Sequence, residues 1–186
     1  MQKNQNQYWN VTTIVYMALL VALNLVMSRI LVIDIAGVYR IALGPVAIIM
    51  AGLWLGPVCG GVCGMTADII GCFMKGYAVN PLITLAAVLW GVIPALIRPK
   101  MAGWAKKGKV IGISVSVAIC AVLSSLVVTT AGLVWLLGYN FYAIFPGRVV
   151  QFLIMTPIYC VLSNLLYFSP LTNLVLNGAV PRTRRA

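Results

Sequence analysis

Two carboxylates, Asp34 and Asp68, and four cations, Arg29, Arg40, Lys75 and Arg148, lie in or beside long apolar runs of this chain of 186 residues. Charges at membrane depth are costly and are held inward, against a partner or a water-filled cavity, so such groups mark a binding site or pathway. Asp68 offers two acceptor oxygens, suited to a flat ring with adjacent amine and ring N–H donors, as in a 2-amino-4-oxopterin. Arginine binds carboxylates in a planar fork. Asp68 and Lys75 are seven residues apart and share a helix face about two turns from one another. Two readings follow: the pair lines a cavity for a polar, net anionic ligand, or Asp68 pairs with Lys75 or an arginine and neutralises itself. Catalysis has little to draw on, because the chain has no histidine and two acidic residues in all, nearly emptying the inventory for general acid–base or metal chemistry. Cys59 and Cys63 sit one turn apart but lack a second pair, and read as packing residues rather than metal ligands. No cofactor is implied. There is no P-loop, so any dependence on ATP would come from partners.

The elements that position these groups belong to a membrane protein. The chain is 62% hydrophobic and 8% charged with a mean hydropathy of +1.04, whereas about a quarter of the residues of a soluble domain are charged. Crossing the hydrocarbon core takes about 20 apolar residues, and the runs predict an all-α bundle of six transmembrane helices near 13–33, 40–55, 58–74, 81–97, 110–137 and 147–168. The first run has no small-residue cleavage site and reads as an uncleaved span. The fifth exceeds one crossing and is expected to tilt or break. Residues 1–186 read as one integral membrane domain without an inverted repeat of the kind that self-contained transporters show. Nine of the thirteen basic residues fall in the N-terminus, the 98–109 loop and the 178–186 tail. Lys and Arg are enriched on the cytoplasmic side, which places both termini there, against anionic lipid. No folded domain presents these charges to nucleic acid. The four remaining cations and both carboxylates gather at the outer end.

Gly56, Gly60 and Gly64 recur every fourth residue and clear one helix face for close packing. Ala18 and Ala22 make a similar pair on the first span, either for internal packing or for docking another membrane helix. Trp54, Tyr139, Phe141, Tyr142 and Phe145 fit an interfacial belt. Trp90, midway along the fourth span, either stacks on a ligand ring or fills the core.

"LGPVAIIMAGLWLGPVCGGVCGMTADIIGCFM" followed by "NPLITLAAVLWGVIPAL" resembles the substrate-binding S components of energy-coupling factor (ECF) vitamin transporters, and most closely their folate-specific members. The matching elements are Gly44-Pro45, the Gly56-Pro57 hairpin, the glycine run, Asp68-Ile-Ile-Gly71 and the fourth span. The resemblance implies an outward-facing pocket closed by loops, with the Asp34–Arg40 loop as its gate and Asp68 as the motif aspartate. It implies docking through Ala18 and Ala22 on a transmembrane coupling subunit that carries two ATPases, and delivery of the ligand by toppling. Folate would place its pterin at Asp68 and its glutamate carboxylates at Arg29, Arg40, Lys75 or Arg148. Where relatives begin span four with a Pro-Gly-Phe-Thr-like sequence, this chain reads Asn80-Pro81-Leu82-Ile83-Thr84, making Asn80 the candidate contact there. Riboflavin, a deazaguanine precursor of modified tRNA bases and thiamine are the competing ligands. Thiamine, a cation, suits four outer cations least. A structural membrane subunit without a ligand is the other alternative.

Overall fold

The computed structural model describes residues 10–30, 33–35, 39–76, 78–138 and 140–179. Eight α-helices account for most of them: α1 (Val11–Leu25), α2 (Gly44–Leu55), α3 (Pro57–Lys75), α4 (Pro81–Leu96), α5 (Lys106–Cys120), α6 (Thr130–Leu137), α7 (Phe141–Tyr167) and α8 (Pro170–Ala179). π-helical stretches extend α1 over Val26–Ile30 and join α5 to α6 over Ala121–Thr129, so that α5 and α6 form one rod. The six expected crossings are therefore α1, α2, α3, α4, the α5–α6 rod and α7. Val11–Ser28, Pro57–Lys75, Lys106–Leu136 and Phe141–Tyr167 are long and apolar enough to cross a membrane, while α2 and α4 are shorter apolar helices.

Four boundaries differ from those expected. The first span was expected to run to residue 33 and the second to begin at 40. Instead the described helical residues run to Ile30, and two short antiparallel strands, β1 (Ile33–Ile35) and β2 (Tyr39–Ile41), come before α2, with Asp34 opposite Arg40 in register. Ile-Asp-Ile and Tyr-Arg-Ile alternate apolar and charged residues, which is a strand period. The last crossing starts at Phe141 rather than 147, because the Asn140 side chain caps it by accepting from the Tyr142 amide at 3.0 Å and the helix continues through Pro146. The basic loop is shorter than 98–109, since Lys106 already opens α5.

Every residue of α2 except Pro45 is buried. A helix apolar on all sides belongs inside a bundle, and this one is encased by its neighbours. Its 12 residues span only ~18 Å against a hydrocarbon core of about 30 Å. α8 covers its C-terminal end: Trp54 Nε1 donates to Thr172 Oγ1 at 3.0 Å, and Val175 is buried beside it. Trp54 is thus a core residue rather than a member of an interfacial belt. Tyr142 is 86% exposed and fits the belt; Tyr139 lies outside the described residues.

The glycine run packs as its spacing predicts, with one exception. A Cβ on Gly64 would strike the Ala87 carbonyl, and one on Gly60 would come within 2.6 Å of the Gly52 Cα and of the Gly91 carbonyl oxygen. Helices α2, α3 and α4 therefore meet backbone to backbone. Gly56 serves the turn instead: its φ of +106° is a conformation that side chains disfavour, and it lets Pro57 begin α3 at once. Proline suits a first helical turn because the amide it lacks would be unpaired there.

Candidate binding site

A cavity of about 260 Å³ opens between α1, α2, α3 and α4, walled by Asn24, Ser28, Pro45, Ile48, Asp68 and Trp90 among others. Asp68 comes from the second half of α3 and is half-buried. Thr84 Oγ1, on the facing turn of α4, donates to Asp68 Oδ2 at 2.7 Å and also lies 3.1 Å from the Asn80 carbonyl. Asp68 forms no ion pair among the described residues. A carboxylate at this depth without a cation calls for another donor, and the cavity is where one would enter.

Trp90, two turns along α4 from Thr84, also lines the cavity. Its ring meets that of Tyr159 edge to face at 5.3 Å and 79°, a favoured aromatic geometry. The Tyr159 hydroxyl donates to the Ala42 carbonyl at 2.9 Å. This chain of contacts ties α4 to α7 and to the residue that follows β2. Trp90 thus packs against the core and also lines the cavity. It also borders a second cavity, of about 180 Å³, between the π-helical stretch and α7.

The other expected contacts divide three ways. Lys75 is exposed at the end of α3, roughly 10 Å along the axis from Asp68, and lines neither cavity. Asn80 is buried and wholly engaged in the architecture: its side-chain carbonyl accepts from the Leu82 and Ile83 amides at 3.0 and 3.4 Å, capping α4, and its amide donates to the Gly132 carbonyl at 3.0 Å. Arg148 is half-buried on α7 and stands outside both linings. The side chains of Arg29, Asp34 and Arg40 lie outside the described residues. Ala18 and Ala22 are both exposed, on a face of α1 that also carries Val15, Leu19 and Leu23.

Sequence reasoning passed over Asn24, Ser28 and Thr84. Asn24 and Ser28 are polar residues one turn apart in an otherwise apolar span, and that pattern was the available signal.

An apolar helical bundle with a solute-sized cleft, lined among the described residues by one carboxylate and an aromatic ring, defines a class: a polytopic membrane protein that takes a small polar molecule between its helices. The family model for the substrate-specific component of ECF transporters matches residues 12–173, and the chain belongs to that family. Among curated proteins it is similar to the folate transporter FolT of Clostridium novyi (strain NT), with 33% identity over 153 residues that cover 81% of this chain and 85% of that one. Among solved structures it resembles a crystal structure of FolT bound with folic acid. There the TM-score is 0.68 at 23% identity, over 84% of this chain and 93% of the other, a likeness that shows a shared fold.

Proposed function

We propose that this protein is the folate-capturing component of an ATP-driven ECF importer. The observation that carries the reading is Asp68, a carboxylate hydrogen-bonded by Thr84 and lining the same cleft as Trp90. Its acceptor oxygens match the amine and ring N–H donors of a pterin, and Trp90 supplies a flat wall for the ring. The folate relative named above agrees with this chemistry. Arg148, Arg29 and Arg40 are the candidate partners of the glutamate carboxylates, and Lys75 attracts the anion at the rim. Asn80 supports the site by holding the start of α4, from which Thr84 reaches Asp68. The chain works as one membrane unit, with both termini, the 98–109 segment and the 178–186 tail at the cytoplasmic face.

Tryptophan-fluorescence titration of the purified, detergent-solubilised protein, with absorbance correction, tests the reading. Saturable quenching by folic acid, and none by riboflavin or thiamine, is expected. Saturation by one of those vitamins instead, or by a deazaguanine precursor, would keep the S-component role and replace the substrate.

The protein contains no ATPase motif, so uptake requires a membrane coupling subunit and two ATPases. We assign the coupling contact to the exposed Ala18 and Ala22 face, where small side chains permit close helix approach. Replacing both alanines by leucine is expected to leave the folic acid Kd unchanged and to abolish co-purification with the coupling subunit. Loss of folic acid binding in that variant would place these alanines in internal packing.

A further inference from the structure

α8 meets the bundle along one side only. Thr172 and Val175 are buried, and the Thr172 bond to Trp54 holds this side over the end of α2. Leu171 and Leu174, three residues apart and so neighbours on the helix surface, are 48% and 65% exposed. Asn173 is exposed as well, and a step of about 100° per residue puts it on a different side from the two leucines. One side docked, one apolar and bare, and one polar is the build of a helix that lies flat at a membrane surface. The depth agrees. α2 spans ~18 Å against a hydrocarbon core of about 30 Å, so a helix packed under its end has acyl chains within reach of its bare leucines.

The surroundings of α8 are basic. Lys106 and Lys107 open α5 and are exposed. Lys106 Nζ stands 5.5 Å from the centre of the Phe168 ring, a cation–π distance that ties this turn to the exposed aromatic residue two positions before α8. Arg98 Nη1 would lie 3.7 Å from a Cβ on Gly56, at the end of α2. Trp104 is exposed and lies along the start of α5, where a Cβ on Gly112 would come within 2.6 Å of its ring. Tryptophan near a span end sits well at headgroup level. The two acidic side chains of the whole sequence belong to Asp34 in β1 and Asp68 in the second half of α3, toward the other end of the bundle. The charge that balances these cations therefore has to come from outside the chain.

We infer that α8, Phe168 and the turn at Lys106 and Lys107 form a binding surface for an anionic phospholipid. Leu171 and Leu174 lie among its acyl chains, and the lysines hold its headgroup phosphate. A soluble anion would satisfy the lysines and leave the leucines bare, and a neutral lipid would do the reverse; an anionic lipid meets both. Each cation near an anionic membrane surface contributes about fivefold in association. The surface adjoins the end of α2 and not the Asp68 cleft, so the inference is independent of the folate reading.

The test uses the full-length protein in a neutral detergent, with a nitroxide attached to Leu174→Cys as the reporter. Four of the five native cysteines are buried, and the labelled unsubstituted protein supplies the background. Dioctanoyl phosphatidylglycerol should immobilise the nitroxide saturably. Dioctanoyl phosphatidylcholine, which keeps the chains without the net charge, and glycerol phosphate, which keeps the anion without the chains, should not. Lys106→Gln should weaken the phosphatidylglycerol response about fivefold, and Lys106→Arg should restore it. In vesicles of phosphatidylcholine with one third phosphatidylglycerol, the nitroxide at Leu174→Cys should collide with oxygen rather than with a water-soluble nickel chelate, and one at Asn173→Cys the reverse. Should Leu174→Cys not be recovered folded, Leu171→Cys takes its place. Equal responses to the two lipids, or none, would overturn the surface. So would a response to glycerol phosphate, which makes it a site for free anions, or a nitroxide at Leu174→Cys that meets the nickel chelate, which leaves the face in water for a protein partner. The folic acid Kd should stay at the wild-type value in every variant, so that this inference and the folate reading fail separately.

Discussion

Asp68→Asn should weaken folic acid binding by about two orders of magnitude while leaving the unliganded protein at least as stable. The substitution keeps the shape of the side chain and an oxygen for the Thr84 hydroxyl, whose bond to Asp68 Oδ2 is 2.7 Å. It removes the charge and replaces one acceptor with an N–H donor. A ligand edge that presents two donors then meets one acceptor and one repelling donor. Hydrogen bonds to charged groups contribute about 1.5–3 kcal/mol each, and every 1.4 kcal/mol is about tenfold in Kd. Stability should hold because a carboxylate in a poorly solvated cleft, with no cation paired to it among the described residues, is itself unfavourable. Parallel titrations and melting curves in one detergent read both quantities. An unchanged Kd would make Asp68 a structural group and remove the observation on which the folate assignment stands.

The second large effect is on folding. Gly91→Val should destabilise the bundle by about 3 kcal/mol or more, the upper end for overpacking, and lower the melting temperature by on the order of 10 °C for a chain of this size. A Cβ at Gly91 would run into the backbone of Gly60, and a Cβ at Gly52 would strike the Gly91 carbonyl. These are backbone atoms in three helices, so no flexible side chain can move aside. The same face carries Gly64 against Ala87, and the damage would spread toward Asp68 one turn further along α3. Gly103→Ala is the matched control, since a Cβ there meets nothing within 4 Å, and its melting temperature should stay at the wild-type value. Equal shifts for the two variants would contradict the packing account.

Much of this architecture was legible before any tertiary contact was known. Long apolar runs and Gly-Pro breaks located the crossings because the bilayer sets helix length and proline sets helix starts. The repeat Gly60, Gly64 marked a packing face, and its neighbours in α4 proved to be Gly91 and Ala87. Gly56 belonged to the same spacing yet serves a turn, because spacing alone does not report φ. Trp54 read as interfacial since it sits near a span end; burial under α8 through Thr172, 118 residues away, has no local signature. Asn80 entered as a ligand contact through the family resemblance at the start of span four, but its side-chain amide is used by Leu82, Ile83 and Gly132.

The sequence by itself determined that this chain lives in a bilayer and crosses it as a helical bundle. Those properties follow from composition and period, which act residue by residue along the chain. Only the tertiary structure decided that Asp68 is held by Thr84, that Trp90 borders two cavities, and that α8 covers the end of α2. A helical period names a face without naming what that face meets. Partners drawn from α3, α4 and α7 are brought together by close packing, which depends on all the helices at once.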